Sequence, residues 1–157
     1  MVKGVPTLTL ALAIVGSALA TPRGGVTAVV SAAALTAPAL YADAQGKDQA
    51  VRRALASDSN LDAVGKAVRS AIATYTTLVR LHPTSSYCDD ALWHSALLAM
   101  DAAAHLKDPS LNGVAAQYLK RLQAEYPTSK YAKQAPEIEA KLAKLPTAPA
   151  SPAGTPA

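Results

Sequence analysis

One ten-residue pattern occurs twice in this chain, as His82-Pro83-Thr84-Ser85-Ser86-Tyr87-Cys88-Asp89-Asp90-Ala91 and again as Tyr126-Pro127-Thr128-Ser129-Lys130-Tyr131-Ala132-Lys133-Gln134-Ala135. Five of the ten positions are identical at an offset of 44 residues. The same offset relates Leu78 to Leu122 and Ala71 to Ala115 upstream. Self-similarity at a fixed period of this order is typical of stacked helical hairpins. We therefore expect the two stretches to be the turns of two copies of one hairpin.

Each shared position of the pattern has a physical role in a turn between two helices. Proline ends the first helix, because the residue before proline avoids the helical region. The serine hydroxyl accepts a hydrogen bond from a free amide at the start of the second helix. The tyrosine covers the turn, and the alanine lets the two helices approach closely. The predicted turn signature comprises Pro83, Ser85, Tyr87, Ala91, Pro127, Ser129, Tyr131 and Ala135.

Apolar residues recur at helical spacing from Lys47 to Leu145, which predicts an all-α fold. The expected helices cover 47–57, 61–81, 86–106, 111–125 and 130–145. The second is expected to bury a stripe of Leu61, Val64, Val68, Ile72, Tyr75 and Leu78. Pro136 falls inside the fifth helix and should kink or fray it, at about 3 kcal/mol if it lies mid-helix. These helices form antiparallel hairpins stacked as a short solenoid over residues 45–145.

The composition agrees with a helical fold and excludes several others. Of the 157 residues, 36 are alanine and only 7 are aromatic. Alanine favours helices and is poor in strands, which argues against a β-sandwich or a β-barrel. A single cysteine excludes an internal disulfide framework and a multi-thiolate zinc site. The net charge of +4 is basic, but with 17% charged residues the chain does not resemble a nucleic-acid-binding protein.

Residues 1–44 have the features of an export signal followed by a low-complexity segment. Lys3 precedes nineteen uncharged residues that include an apolar run and end near Ala18-Leu19-Ala20. A second uncharged stretch ends near Ala42-Asp43-Ala44, so cleavage after Ala20 or after Ala44 is possible on this pattern. The later site is favoured, because helical sequence begins only at about Lys47. The alternative is an uncleaved membrane anchor. No cysteine lies near either site, which excludes a lipoprotein anchor.

Residues 146–157 read PTAPASPAGTPA, with four prolines in twelve residues. Such a segment cannot continue a helix and carries nothing large to bury. We expect a disordered tail or linker.

Residues 67–145 resemble tetratricopeptide-like repeats of bacterial envelope proteins, whose helices end in an aromatic-Pro-x-Ser-x-Tyr turn. Similar turns occur in the lipoprotein of the outer-membrane barrel-assembly machinery and in the periplasmic coordinator of the Tol–Pal system. The stretch 85–93 also resembles the amino-terminal region of some N-acetylmuramoyl-L-alanine amidases, in which a signal peptide and such repeats precede a Pro-rich linker and a zinc amidase domain. The offset of 44 departs from the usual tetratricopeptide period of about 34 residues.

Candidate reactive groups do not form a catalytic motif. Asp89 and Asp90 precede His94, and Asp90 and His94 share a helix face, but a metal or acid–base site needs further ligands. Two carboxylates in a first turn are expected to stabilise the positive end of the helix instead. Cys88 is expected to be buried, and the spacings of His82 and His105 match no metal motif. The sequence therefore predicts no catalytic, cofactor-binding or metal-binding residues.

The resulting hypothesis is an exported, non-catalytic scaffold of the periplasm or cell envelope. Its partner is another envelope protein or a peptide, bound near Tyr75, Trp93 and Tyr118, with peptidoglycan or an anionic surface as a further candidate; neither nucleic acid nor a small-molecule substrate is expected. Basic residues are concentrated toward the carboxyl end, where they form either a solvated helix face or a surface that attracts an anionic polymer. These residues are Lys120, Arg121, Lys130, Lys133, Lys141 and Lys144. The alternative function is the repeat region of a cell-wall amidase whose catalytic domain is absent from this chain.

Overall fold

The computed structural model describes residues 36–57 and 60–145, and the regular secondary structure of this part of the chain consists of α-helices. No strand occurs within these two ranges, which confirms the predicted all-α class. The five helices are α1 (Ala37–Ala56), α2 (Leu61–Leu81), α3 (Cys88–Leu106), α4 (Ser110–Glu125) and α5 (Lys130–Leu142). The predicted signal region up to residue 35, and the predicted tail at 146–157, lie outside the described residues. None of the described helices combines the length and apolar character that a membrane crossing requires.

Helix α1 begins ten residues before the predicted start at Lys47, and that prediction is wrong. Pro38 lies in its first turn, where a missing amide proton costs no hydrogen bond. Leu40 and Ala44 are buried in the core, so α1 crosses the predicted domain boundary between residues 44 and 45. The reason for favouring cleavage after Ala44 is thereby removed, and the cleavage site stays a prediction.

The other helices differ from their predicted bounds by three residues at most. Helix α2 has the predicted limits, and α4 begins one residue earlier than expected. Helix α3 begins at Cys88 rather than at residue 86, because the chain between α2 and α3 makes an additional turn. Helix α5 ends at Leu142 rather than Leu145. It nevertheless continues for six residues beyond Pro136, so the proline does not end it.

The backbone leaves α2 and α4 in the same way. His82 closes α2 with φ −133° and ψ 56°, and Tyr126 closes α4 with φ −131° and ψ 55°. The amide of His82 donates to Leu78 O at 2.9 Å, and that of Tyr126 donates to Leu122 O at 2.9 Å. The two stretches that repeat in the sequence therefore begin with the same local geometry.

The serine hydroxyls of both turns accept a hydrogen bond from the amide two residues ahead. Ser129 Oγ accepts from Tyr131 N at 3.1 Å and caps α5, as predicted. Ser85 Oγ accepts from Tyr87 N at 3.3 Å, but it does not cap α3 directly. Its carbonyl instead accepts from Cys88 N at 3.1 Å, within the short turn that precedes α3. The predicted role of Ser85 as a helix cap is therefore corrected to a turn-forming role.

Each helix packs against the next one along the chain, and α3 also contacts both α1 and α5. Helices α2 and α4 do not approach each other backbone to backbone. The odd-numbered helices thus lie side by side, with α2 and α4 on one side of this row. A side-chain hydrogen bond also joins α1 to α2: Lys47 Nζ donates to Thr74 Oγ1 at 2.9 Å.

The core is built from alanine and branched aliphatic residues, with few aromatic ones. Ala91 and Ala135, the predicted close-approach positions, are both completely buried. Five of the six residues of the predicted α2 stripe are also buried. The exception is Leu61, which is 55% exposed because it is the first residue of α2, beyond the packed part of the helix.

Candidate functional site

Tyr75, a predicted partner-binding residue, lies in the core. It is 1% exposed, and its hydroxyl donates to Asp48 Oδ2 at 3.3 Å. Burial, followed by the nearby charge of Asp48, raises the pKa of Tyr75. The side chain offers no surface to a partner in this structure.

Asp48 organises a polar seam between α1 and α3 that the sequence reading missed. Only 4% of the residue is exposed, and its Oδ1 accepts from Arg52 Nε at 2.7 Å. The guanidinium of Arg52 also pairs with Asp101 on α3. His94 Nδ1 lies 3.8 Å from Asp48 Oδ2, and its ring is nearly parallel to that of Tyr75. A shallow cleft of about 310 Å³ opens above these groups.

Asp90 and His94 share a face of α3, as predicted, with Oδ1 and Nε2 3.9 Å apart. Asp90 also accepts a hydrogen bond from the hydroxyl of Tyr41 on α1. The described residues contain no group of three histidine, cysteine or acidic side chains arranged to hold a metal ion. Since each carboxylate of the seam already contacts a protein group, the arrangement ties α1 to α3.

Trp93 lies between α3 and α5 rather than in an open groove. It is 9% exposed and stacks on Tyr131, with ring centroids 5.2 Å apart. A hydrogen bond with Asp90, together with burial, raises the pKa of Tyr131 to about 12. In the row of odd-numbered helices, Tyr41 and Tyr87 make a similar stack between α1 and α3 at 4.8 Å. Both turn tyrosines therefore pack against the preceding odd-numbered helix.

The two turns are also bonded to each other. The hydroxyl of Tyr126 donates to Pro83 O at 2.8 Å, and Ser129 Oγ donates to Asp89 Oδ2 at 2.7 Å. Asp89 was expected to act only on the positive end of α3, and the contact with the second turn is an addition. These two bonds fix how one hairpin is placed on the next.

Cys88 is buried, as predicted. Its Sγ donates to His82 O at 3.0 Å, and burial raises the pKa of the thiol. Ala132, which occupies the same position of the second pattern, is also buried. The cysteine therefore fills a small core position between a turn and a helix.

A groove of about 620 Å³ with a mixed polar and apolar lining lies between α2 and α4. Tyr118 is half-buried at its wall, and its hydroxyl lies 2.9 Å from Thr76 Oγ1. Arg69 and Asp108 line it as well. The remaining lining residues are aliphatic or small: Ile72, Ala73, Thr77, Ser110, Leu111 and Val114.

The groove exists because the odd-numbered helices pack together while α2 and α4 stand apart. The small side chains of Thr76 and Thr77 on α2 leave space that a larger residue would fill. A smaller hollow of about 390 Å³ lies between α1 and α2 and is lined mainly by alanine and valine, together with Lys47, Asn60 and Ser70. Of the three predicted contact residues, Tyr118 lines this groove, and Tyr75, although buried, lines the cleft beside Asp48 and His94.

Comparison with known proteins does not place the chain in a family. No protein-family model matches it, and no curated protein or solved structure does so.

Proposed function

We propose that this chain is a non-catalytic helical-repeat scaffold of the bacterial cell envelope that holds a peptide segment of another protein between α2 and α4. The groove between these helices is the observation that carries the proposal. Clefts of 300–1,000 Å³ with a mainly apolar lining and a few polar groups are typical of ligand-binding sites.

The two turns support the interpretation as repeats. Up to the two serines, their backbone angles, main-chain hydrogen bonds and serine contacts correspond; after them the second turn enters α5 directly, whereas the first makes an additional turn before α3. The bond from Tyr126 to Pro83 then sets the spacing between neighbouring hairpins. A short solenoid built in this way presents its groove already formed, so little conformational entropy is lost when a peptide binds.

Export to the envelope rests on the sequence of residues 1–44 and on the resemblance of the turns to envelope repeats. Fusion of alkaline phosphatase after residue 145 tests it, because this reporter is active only outside the cytoplasm. Activity that depends on residues 1–35 supports export, and an inactive fusion protein contradicts it. The amidase alternative rests on resemblance alone, and no contact of the described residues favours it.

The groove is tested by photocrosslinking in living cells that produce the full chain. p-Benzoylphenylalanine is placed at Ala73, which lies in the groove, or at Ala124, an exposed alanine of α4 outside it. We expect one discrete adduct from position 73 and none from position 124. The adduct should disappear when Thr77→Trp fills the groove.

Equal labelling from positions 73 and 124 would contradict the groove as the binding site. So would an adduct at position 73 that survives Thr77→Trp in a correctly folded variant. Circular dichroism melting of each variant establishes that the fold is retained.

A further inference from the structure

We infer that the occupant of the α2–α4 groove is an acidic peptide segment that carries an aliphatic side chain. This inference rests on the proposed function and specifies the chemistry of its partner. It follows from the distribution of charge between the two sides of the fold, from Arg69 in the lining of the groove and from the apolar residues beside it.

The charge of the helices is divided unevenly. Helices α2 and α4 together carry five cationic residues against two acidic ones. The three odd-numbered helices carry six cationic residues against seven acidic ones. The side of the fold that contains the groove is therefore positive, whereas the other side is close to neutral. Charge complementarity steers a partner of opposite sign and disfavours one of like sign.

Most of the cationic groups on α2 and α4 have no acidic partner among the described residues. The ion pair that forms on these helices joins Arg121 to Glu125 at 2.7 Å. The others lie outside every ion pair of the described part of the chain: Lys66, Arg69, Arg80 and Lys120. These four side chains are exposed, but only Arg69 lines the groove, whereas Lys120 lines a separate pocket between α4 and α5 together with Glu139.

Arg69 is the cation that lines the groove itself. Its guanidinium lies beside Gly65, where an added Cβ would be 3.7 Å from Nη1. The acid nearest to it in the lining is Asp108, whose Oδ1 accepts from Ser110 N at 3.0 Å and from Ser110 Oγ at 2.6 Å. Asp108 is thus engaged at the start of α4, and Arg69 remains available.

The base of the groove selects an apolar side chain. Ile72 and Leu111 are both more than nine-tenths buried, with Val114 half-buried between them and the opening. Thr76 Oγ1 donates to Ile72 O at 2.9 Å and accepts from the Tyr118 hydroxyl, so both oxygens can still accept a hydrogen bond from a peptide amide. An aliphatic side chain seated on this base, with carboxylates directed toward Arg69, satisfies both parts of the site.

The test selects ligands from a phage-displayed library of random 12-residue peptides against the immobilised full chain. Clones that also bind Thr77→Trp, in which the groove is filled, are removed. The remaining sequences are made as fluorescein-labelled peptides, each with a partner in which glutamine and asparagine replace glutamate and aspartate. Binding is measured by fluorescence anisotropy at low and high salt.

We expect the groove-dependent sequences to be enriched in aspartate and glutamate beside an aliphatic residue. Arg69→Glu should weaken their binding about fivefold or more, as should the amide-substituted peptides. Lys133→Glu changes the net charge by the same amount at an exposed position of α5. It should alter the dissociation constant measured by fluorescence anisotropy less than twofold. Arg80→Glu provides a second variant of α2 should Arg69→Glu fail to fold.

Groove-dependent peptides without acidic enrichment would overturn this inference and leave the proposed function intact. No groove-dependent peptide at all would count against the proposed function itself. Equal losses from Arg69→Glu and Lys133→Glu, with Thr77→Trp still binding phosphatidylglycerol vesicles, would instead show a non-specific contact with an anionic surface and overturn the inference.

Discussion

The buried carboxylate of Asp48 should be the strongest link between α1 and the rest of the fold. Replacing it by alanine removes the acceptor for two donors at once, Arg52 Nε and the Tyr75 hydroxyl. The Arg52 side chain is 40% exposed and retains its ion pair with Asp101 in the variant. Solvent therefore replaces much of the hydrogen bond that Arg52 loses. Tyr75 is 1% exposed, and its hydroxyl is left without this acceptor.

The expected magnitude follows from these two environments. A buried polar group that loses its partner costs about 1–3 kcal/mol. A partly exposed charged hydrogen bond adds about 1 kcal/mol, because solvent replaces much of it. Relief from burying a carboxylate offsets a part of the sum. We expect Asp48→Ala to lower the free energy of unfolding by about 2–3 kcal/mol.

The assay is urea unfolding of the full chain followed by far-ultraviolet circular dichroism. A double-mutant cycle with Tyr75→Phe separates the two contributions. Phenylalanine has no hydroxyl that could be left without a hydrogen-bond partner. Asp48→Ala should therefore lower the free energy of unfolding less in the Tyr75→Phe background than in the wild type. Asp43→Ala is the matched control, because Asp43 pairs with Lys47 at the surface of the same helix.

Two results would refute this reasoning. The first is a loss below about 0.5 kcal/mol for Asp48→Ala, within the range of ordinary surface changes. The second is a cycle in which the costs of Asp48→Ala and Tyr75→Phe simply add.

Three further predictions concern the turns and the core. Trp93→Ala should cost about 3–5 kcal/mol in urea unfolding, since it empties the space against α5; a cost near that of a surface change would show that this contact is not formed. Ser129→Ala should cost about 1–2 kcal/mol, through the lost cap and the lost bond to α3, and more than Ser85→Ala; equal costs would argue against the added bond. Burial raises the pKa values of Cys88 and Tyr75 above their ordinary values of 9.0 and 10.0, so folded-state stability is complete below about pH 9 and falls as the pH rises beyond it. Thermal melts across this range should show a falling melting temperature, and in Cys88→Ala the fall should begin at a higher pH. Melting temperatures that stay constant up to about pH 11 would contradict this prediction.

The sequence was sufficient for the class of the fold and for four of the five helices to within three residues at each end. Proline after a helix and apolar residues at steps of three and four are local signals that need no tertiary information. The start of α1 was missed although a signal existed. Leu40, Ala44, Val51 and Leu55 follow a helical spacing, but alanine-rich sequence with a nearby signal pattern was read as part of the export segment.

The site was harder to anticipate than the helices. An aromatic residue on an apolar helix face can be core or contact surface, and only its neighbours decide which. Tyr75 faces Asp48 from α1, and Trp93 faces Tyr131 from α5, so both are enclosed. Tyr118 faces the space between α2 and α4, which no adjacent helix fills.

The sequence by itself determined an all-helical chain with two like turns, because helix periodicity, proline and serine caps act over a few neighbouring residues. Only the tertiary structure decided that α1 belongs to the core, that Asp48 joins it to Tyr75 of α2 while Arg52 joins it to Asp101 of α3, and that a groove opens between α2 and α4. The reason is that each of these depends on side chains tens of residues apart along the chain. Their meeting is set by how closely the alanine-lined helices can approach, and not by any local pattern.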